Sequence, residues 1–221
     1  MLFHGLSAFP ITPSDAAGRV DTGALSALLK RIDAAGADSI GLLGSTGSYM
    51  YLSRAEKRRA IKAAADCLSG RTPVIVGVGA LRTDEAVALA QDARDAGAQG
   101  LLLAPVSYTP LGDDEVFEHF AAVAATTQLP LCIYNNPGTT HFSISPALLS
   151  RLSAIPSIAA VKTRRCPLPI SPPPIRQRYR PFPPVSPSAI AATGWWPMPS
   201  WPEAWPGTAS PPASCRSPPS S

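Results

Sequence analysis

Six short apolar runs alternate with amphipathic stretches from Leu6 to Lys162, and this rhythm limits the fold more than any other feature of the chain. The runs are Leu6 to Phe9, Ser39 to Leu43, Pro73 to Gly77, Gly100 to Leu103, Leu131 to Ile133, and Ile158 to Val161. Each is apolar at consecutive positions, as a strand buried on both faces must be. The intervening spacing predicts helices. Asp21 caps one whose apolar positions Leu25, Leu28, Leu29 and Ile32 repeat until Gly36. Ser53 caps a second, with Glu56 completing a capping box and Ile61 and Leu68 on the buried side. A third runs from Thr83 to about Ala96 and a fourth from Asp113 to about Thr126. Ser145 and Pro146 then open a short fifth. A parallel sheet covered by helices follows from this alternation. Six units of unchanged strand spacing favour a barrel over a doubly wound sheet, although periodicity alone does not close one.

The rhythm stops after Lys162. Residues 1–163 hold 13 basic and 14 acidic side chains, a net of −1, whereas residues 164–221 hold six arginines against one glutamate, a net of +5. The second segment also carries 17 of the 26 prolines and all four tryptophans. Pro167, Pro169 and Pro172 to Pro174 exclude a regular helix or central strand there. Two segments are therefore expected, 1–163 folded and 164–221 an irregular Pro/Ser/Arg/Trp-rich tail. The whole-chain charge of +4 does not call for a nucleic-acid partner. No apolar run reaches membrane-spanning length and no signal peptide is legible at the start, so a cytoplasmic protein is expected.

Two strands end in chemically useful side chains. The run from Leu131 leads into Tyr134, and the run from Ile158 ends in Lys162. An amine attacks a keto carbonyl and a phenol beside it moves protons, which is Schiff-base chemistry. An ammonium is costly to bury at the end of an apolar strand, and this favours the free amine that a nucleophile needs. The ordinary alternative is a lysine ending its strand in solvent.

Ile133-Tyr134-Asn135-Asn136-Pro137 followed by Val161-Lys162 resembles the dihydrodipicolinate synthase and N-acetylneuraminate lyase family. The resemblance covers residues 1 to about 163. It implies a (β/α)8 TIM barrel, here ending after the sixth strand, and a class I aldolase acting on pyruvate or a related 2-oxo acid. It further implies that Lys162 forms the imine and Tyr134 relays protons. Gly44-Ser45-Thr46-Gly47 matches the family's Gly-Ser/Thr-Thr-Gly loop, which implies that Ser45, Thr46 and Gly47 bind the substrate carboxylate and that Thr46 continues the relay. The family uses no metal and no organic cofactor, and its members form dimers or tetramers, so a homo-oligomer is implied if the barrel is complete. Three positions depart from the family pattern. Ser48 stands where glutamate is usual. Ser107 occupies the place of an interface-crossing tyrosine, which leaves Tyr108, one position late, as its candidate. Thr139 stands where the dihydrodipicolinate synthases have an arginine for the second substrate's carboxylate. A relative acting on another aldehyde, or on a sugar-acid-derived keto acid, is thus expected over the lysine-pathway enzyme, with a genuine 4-hydroxy-tetrahydrodipicolinate synthase as the alternative. An inactive fragment, or a binding module using the proline-rich tail, is the reading outside enzymology.

Other candidates are weaker. Val76-Gly77-Val78-Gly79-Ala80 lacks the spacing of a dinucleotide or phosphate loop and reads as a turn whose backbone nears the substrate. His4, His119 and His141 share no ligand spacing, nor do Cys67, Cys132, Cys166 and Cys215, so no metal is expected. His119 falls on a helix, and His141 could line the mouth of the site.

The composition of the tail suggests a gene read out of phase. Taking the last base of each codon with the first two of the next, Trp195-Trp196 must read valine. Trp196-Pro197, Met198-Pro199, Trp201-Pro202 and Trp205-Pro206 must each read alanine, because tryptophan and methionine have single codons. With permitted bases elsewhere, the span from Ser188 to Ser217 can read as a Gly-Tyr-Ser-Gly-Asp turn, an amphipathic helix and a Ser-Val-Ala-Ala strand. That string resembles the family's seventh and eighth units. Without those units, the first and sixth strands are expected to leave exposed edges.

Overall fold

The computed structural model describes residues 2–163 and 195–197. Six parallel strands lie side by side in chain order: β1 (Ser7–Ala8), β2 (Ser39–Leu42), β3 (Val74–Gly77), β4 (Gly100–Leu103), β5 (Leu131–Asn135) and β6 (Ile158–Thr163). Helices α1 (Thr22–Ala34), α2 (Arg54–Leu68), α3 (Thr83–Asp95), α4 (Asp113–Ala124), α5 (Pro137–Thr140) and α6 (Pro146–Ser153) lie between them. Sequential parallel order with a crossover after each strand is barrel topology, and these six strands make up most of a (β/α)8 ring. β1 is shorter than its apolar run predicts. The Leu6 amide is taken instead by the Asp38 carboxylate at 2.7 Å, so Leu6 stays outside the ladder.

A seventh strand, β7 (Trp195–Pro197), pairs antiparallel with β6 and sets Lys162 opposite Trp195. This corrects two expectations. Part of the proline-rich segment is a strand, and the edge of β6 between Ala160 and Lys162 is covered. Pro197 ends the new strand at the margin of the sheet, where its missing N–H is tolerated.

The helix starts form as their sequences dictate, with one exception. Asp21 accepts from the Ala24 amide at 2.9 Å and Ser145 from the Leu148 amide at 3.1 Å. Ser53 accepts from the Glu56 amide at 3.3 Å, but Glu56 does not return the bond. Its carboxylate accepts from the Val20 amide at 2.7 Å and pairs with Arg59, which hold it well ionised, so the expected capping box is only half formed.

Side chains from the sheet face two ways. Ile40, Leu42, Val74, Val76, Leu101, Leu103, Leu131 and Ile133 pack under the helices with Leu25, Leu29, Ile61 and Phe120. The alternate positions Ile75, Leu102, Cys132 and Ala160 gather on the other face around Phe3. Removing the fully buried Phe120 ring would cost about 3–5 kcal/mol by the usual cavity penalty. Between α2 and α3, Asp92 is 4 % exposed and is gripped by Arg54 at 2.5 and 3.0 Å and by Arg58 at 2.9 Å. These bonds keep its carboxyl below the usual range.

Two close approaches shape the C-terminal end of the sheet. The ring of Phe9 lies across Gly41, where any Cβ would collide with it. The chain leaves β2 through Leu43, held at φ 56°, and this turn drives the Leu43 carbonyl against Gly77 of β3. A left-handed leucine carries about 1 kcal/mol of strain, and the approach is possible only because residue 77 has no side chain.

Candidate active site

β5 and β6 deliver Tyr134 and Lys162 as direct neighbours in the ladder. The Lys162 Nζ lies 4.3 Å from the centre of the Tyr134 ring and 4.6 Å from that of Phe9. Lys162 is half-buried, and its amine meets two aromatic faces. Both side chains project at the C-terminal ends of parallel strands, where barrel sites are built.

The Tyr134 hydroxyl accepts from the Asn136 amide nitrogen at 2.9 Å and, more loosely, from the Ser45 hydroxyl at 3.5 Å. With two donors on its oxygen, its own proton is left to face a third partner. Asn136 donates also to Thr139 Oγ1 at 2.7 Å, which strings Ser45, Tyr134, Asn136 and Thr139 into one polar row. Its Oδ1 is buried with no hydrogen-bond partner among the described residues.

Ser45–Gly47 forms a 3-10 turn directly after β2. Thr46 is exposed, and no side-chain hydrogen bond ties it to Tyr134, so Ser45 is the hydroxyl at the phenol. The Gly47 amide is committed to the Gly44 carbonyl at 2.9 Å. Gly47 is needed for closeness, since a Cβ there would come within 2.8 Å of Thr12 Oγ1. Tyr108 is 96 % exposed and bonded to neither Ser45 nor Tyr134, while Thr139 is exposed beside the phenol. His141 is exposed after α5. His119 is half-buried against Thr83 at 2.9 Å, and burial lowers its pKa. Burial likewise pushes the Cys132 thiol up. Among the described residues no cluster of His, Cys, Asp or Glu could hold a metal, and no helix is long and apolar enough to cross a membrane.

Three residues at this end were not singled out in the sequence. Phe9 has the right parity for the face of Tyr134 and Lys162, so strand alternation alone could have found it. Asn136 stood within the motif without a role. Tyr49 comes soon after the Gly44–Gly47 loop with no periodic signal. It is 7 % exposed, and its hydroxyl is pushed up to about 12 by burial and by the nearby Tyr134. Lys57 is 8 % exposed with Nζ 5.6 Å from the Tyr49 ring centre, and burial lowers its pKa against the pull of Glu85.

Fold and site together define a class: a (β/α)-barrel chain presenting an amine and a phenol on adjacent strands beside a hydroxyl-bearing loop. Comparison with known proteins makes the class specific. The chain belongs to the dihydrodipicolinate synthetase family, whose model matches residues 2–166. Curated relatives named 4-hydroxy-tetrahydrodipicolinate synthase, from Hyphomonas neptunium and Bacillus subtilis, are each 36 % identical over 73 % of this chain. The matched regions cover 55 % and 56 % of those relatives, so the chain spans about half their length. Among solved structures, a dihydrodipicolinate synthase from Agrobacterium tumefaciens is 66 % identical, with a TM-score of 0.72 over 72 % of this chain and 54 % of that one. A prophage protein of the same family from E. coli K12, solved with pyruvate, is 30 % identical with a TM-score of 0.70, over 73 % of this chain and 55 % of its own. The family match ends where the composition changes.

Proposed function

We propose that this chain carries the Schiff-base site of a carbon–carbon lyase or aldolase acting on pyruvate or a related 2-oxo acid. The pairing of Lys162 with Tyr134, amine 4.3 Å from the ring centre, is the observation that supports it most. Lys162 Nζ attacks the keto carbon, and the carbinolamine loses water to give an imine. The imine withdraws electrons from the adjacent C–H or C–C bond, and its breaking leaves an enamine. Tyr134 hands its outward-facing proton to the departing hydroxyl and regains one through Ser45. The free amides at the start of the Ser45–Gly47 turn, with the Ser45 hydroxyl, receive the substrate carboxylate. Thr46 lends backbone rather than a relay hydroxyl, and Gly47 keeps the turn close to Thr12. Thr139 presents a hydroxyl to the second reactant, which suits a hydroxylated aldehyde or sugar-derived keto acid better than a carboxylate.

The second reading is a genuine 4-hydroxy-tetrahydrodipicolinate synthase, favoured by the names of the curated relatives. An inactive fragment is the third. The exposed Met50, Tyr51, Leu81 and Tyr108 come after β2, β3 and β4 on one rim, which suits contact with a second copy of the chain. A cytoplasmic setting with small-molecule partners completes the proposal.

Borohydride reduction with pyruvate tests it. A pyruvyl adduct is expected on Lys162 and should vanish in Lys162→Ala. Label on Lys30, Lys57 or Lys62, or no label at all, would refute the assignment.

A further inference from the structure

The structure holds a second buried phenol at the same end of the sheet as Tyr134. Tyr49 begins a 3-10 turn (Tyr49–Tyr51) entered through Ser48 in the left-handed conformation, φ 53°. The ring is buried, and its hydroxyl fits a notch in the backbone after β3. A Cβ added at Gly79 would come within 2.8 Å of that hydroxyl, 3.4 Å of the ring and 3.5 Å of the Ala104 carbonyl. Gly79 is not in the left-handed region, so space rather than backbone conformation demands a glycine there. The amine of Lys57 sits over the ring. The ring is thus flanked by Gly79, after β3, and by Lys57 of α2.

The Ser45–Gly47 turn comes just before this seat in the chain. Ser45, four residues earlier, is itself exposed, and its bond to the Tyr134 hydroxyl is long at 3.5 Å. An exposed serine on a short turn has no reason of its own to face the phenol. Resting on the Schiff-base function proposed above, we propose that Tyr49 is a positioning residue whose hydroxyl, locked into the Gly79 notch, holds the Ser45 turn against Tyr134. Tyr49 moves no proton. Its hydroxyl remains protonated throughout the range in which a Schiff-base enzyme works, since burial and the neighbouring phenol both oppose its ionisation. The two phenols thus have separate tasks: Tyr134 exchanges protons with substrate, and Tyr49 keeps its donor in place.

The test uses the full chain and two readouts of pyruvate alone. Borohydride labelling of Lys162 reports imine formation, and deuterium uptake at pyruvate C3 reports proton transfer. In Tyr49→Phe, labelling should stay within twofold of the parent, while deuterium uptake falls about tenfold, as the space that the hydroxyl fills beside Gly79 is emptied and the turn is released. Gly79→Ala, which expels the hydroxyl without removing it, should show the same split. In the Tyr49→Phe background the added methyl has room, so Gly79→Ala should then cost less than twofold. Parent-like deuterium uptake in Tyr49→Phe would overturn the proposal. Equal loss of labelling and uptake would also overturn it, as the mark of a merely structural residue. Failure of the Schiff-base reading itself is distinguishable, because the parent chain would then take no label on Lys162, and the positioning role would fall with it.

Discussion

Gly77→Ala should damage the site from the neighbouring strand without touching a reacting group. A Cβ on residue 77 would sit about 1 Å too close to the Leu43 carbonyl oxygen for any real contact, and 2.9 Å from its carbon. Both partners are backbone, so no flexible side chain can absorb the clash. The Leu43 peptide must retreat by about 1 Å, and Gly44 and Ser45 come directly after it in the chain. The Ser45–Tyr134 contact, already 3.5 Å, would then stretch to about 4.5 Å, beyond hydrogen-bond reach. Overpacking of this kind costs about 2–3 kcal/mol. With a urea slope of about 2 kcal/mol per molar, the unfolding midpoint should fall by about 1 M or slightly more. Far-UV circular dichroism in urea gives the midpoint, and deuterium uptake into pyruvate reports the site. Both should drop together. A midpoint within about 0.2 M of the parent would show that the Leu43 turn yields freely and that Gly77 does not set the loop.

Three further outcomes are expected. Lys57 is held below the ordinary lysine value of 10.5 by burial, so unfolding takes up a proton and stability rises with pH up to that value. Lys57→Met should therefore be the more stable protein at pH 7, with its advantage shrinking by pH 10; urea midpoints at both pH values would contradict this if the gap widened. Because Thr139 offers no bidentate cation, condensation of pyruvate with aspartate semialdehyde should be at least tenfold slower than with a hydroxylated aldehyde, and the reverse preference in a coupled assay would restore the lysine-pathway alternative. Resequencing the gene should reveal a one-base shift shortly after the Lys162 codon; a verified frame encoding residues 164–221, in a soluble and active protein, removes that idea.

The parallel framework was legible because each strand is apolar on both faces and each helix carries its own stop. Asp21, Ser53 and Ser145 act locally, so their caps could be read without a fold. Glu56 could not, because the Val20 amide that captures it lies 36 residues away in the chain. The motifs carrying Tyr134 and Lys162 were legible through family resemblance, and the structure places the two residues side by side. The turn around them was not: neighbouring side chains on a 3-10 turn point about 120° apart, and sequence alone does not show whether Ser45 or Thr46 faces inward. Tyr49 was hidden for a similar reason, since its hydroxyl lies against Gly79, on a later unit. The strand at Trp195–Pro197 lies in a segment whose prolines argue against central strands but permit an edge.

Every parallel strand pairs with the one that precedes it, so each unit of this sheet needs only its immediate predecessor. A chain with such nearest-neighbour contacts can assemble in the order of its synthesis, adding one strand and helix at a time, much as a repeat protein grows. β1 is the exception in a closed ring, because its second partner is the last strand to be made. Its two residues give it little hold until then. Among the described residues β1 pairs with β2 alone, so this two-residue strand is the least anchored part of the sheet.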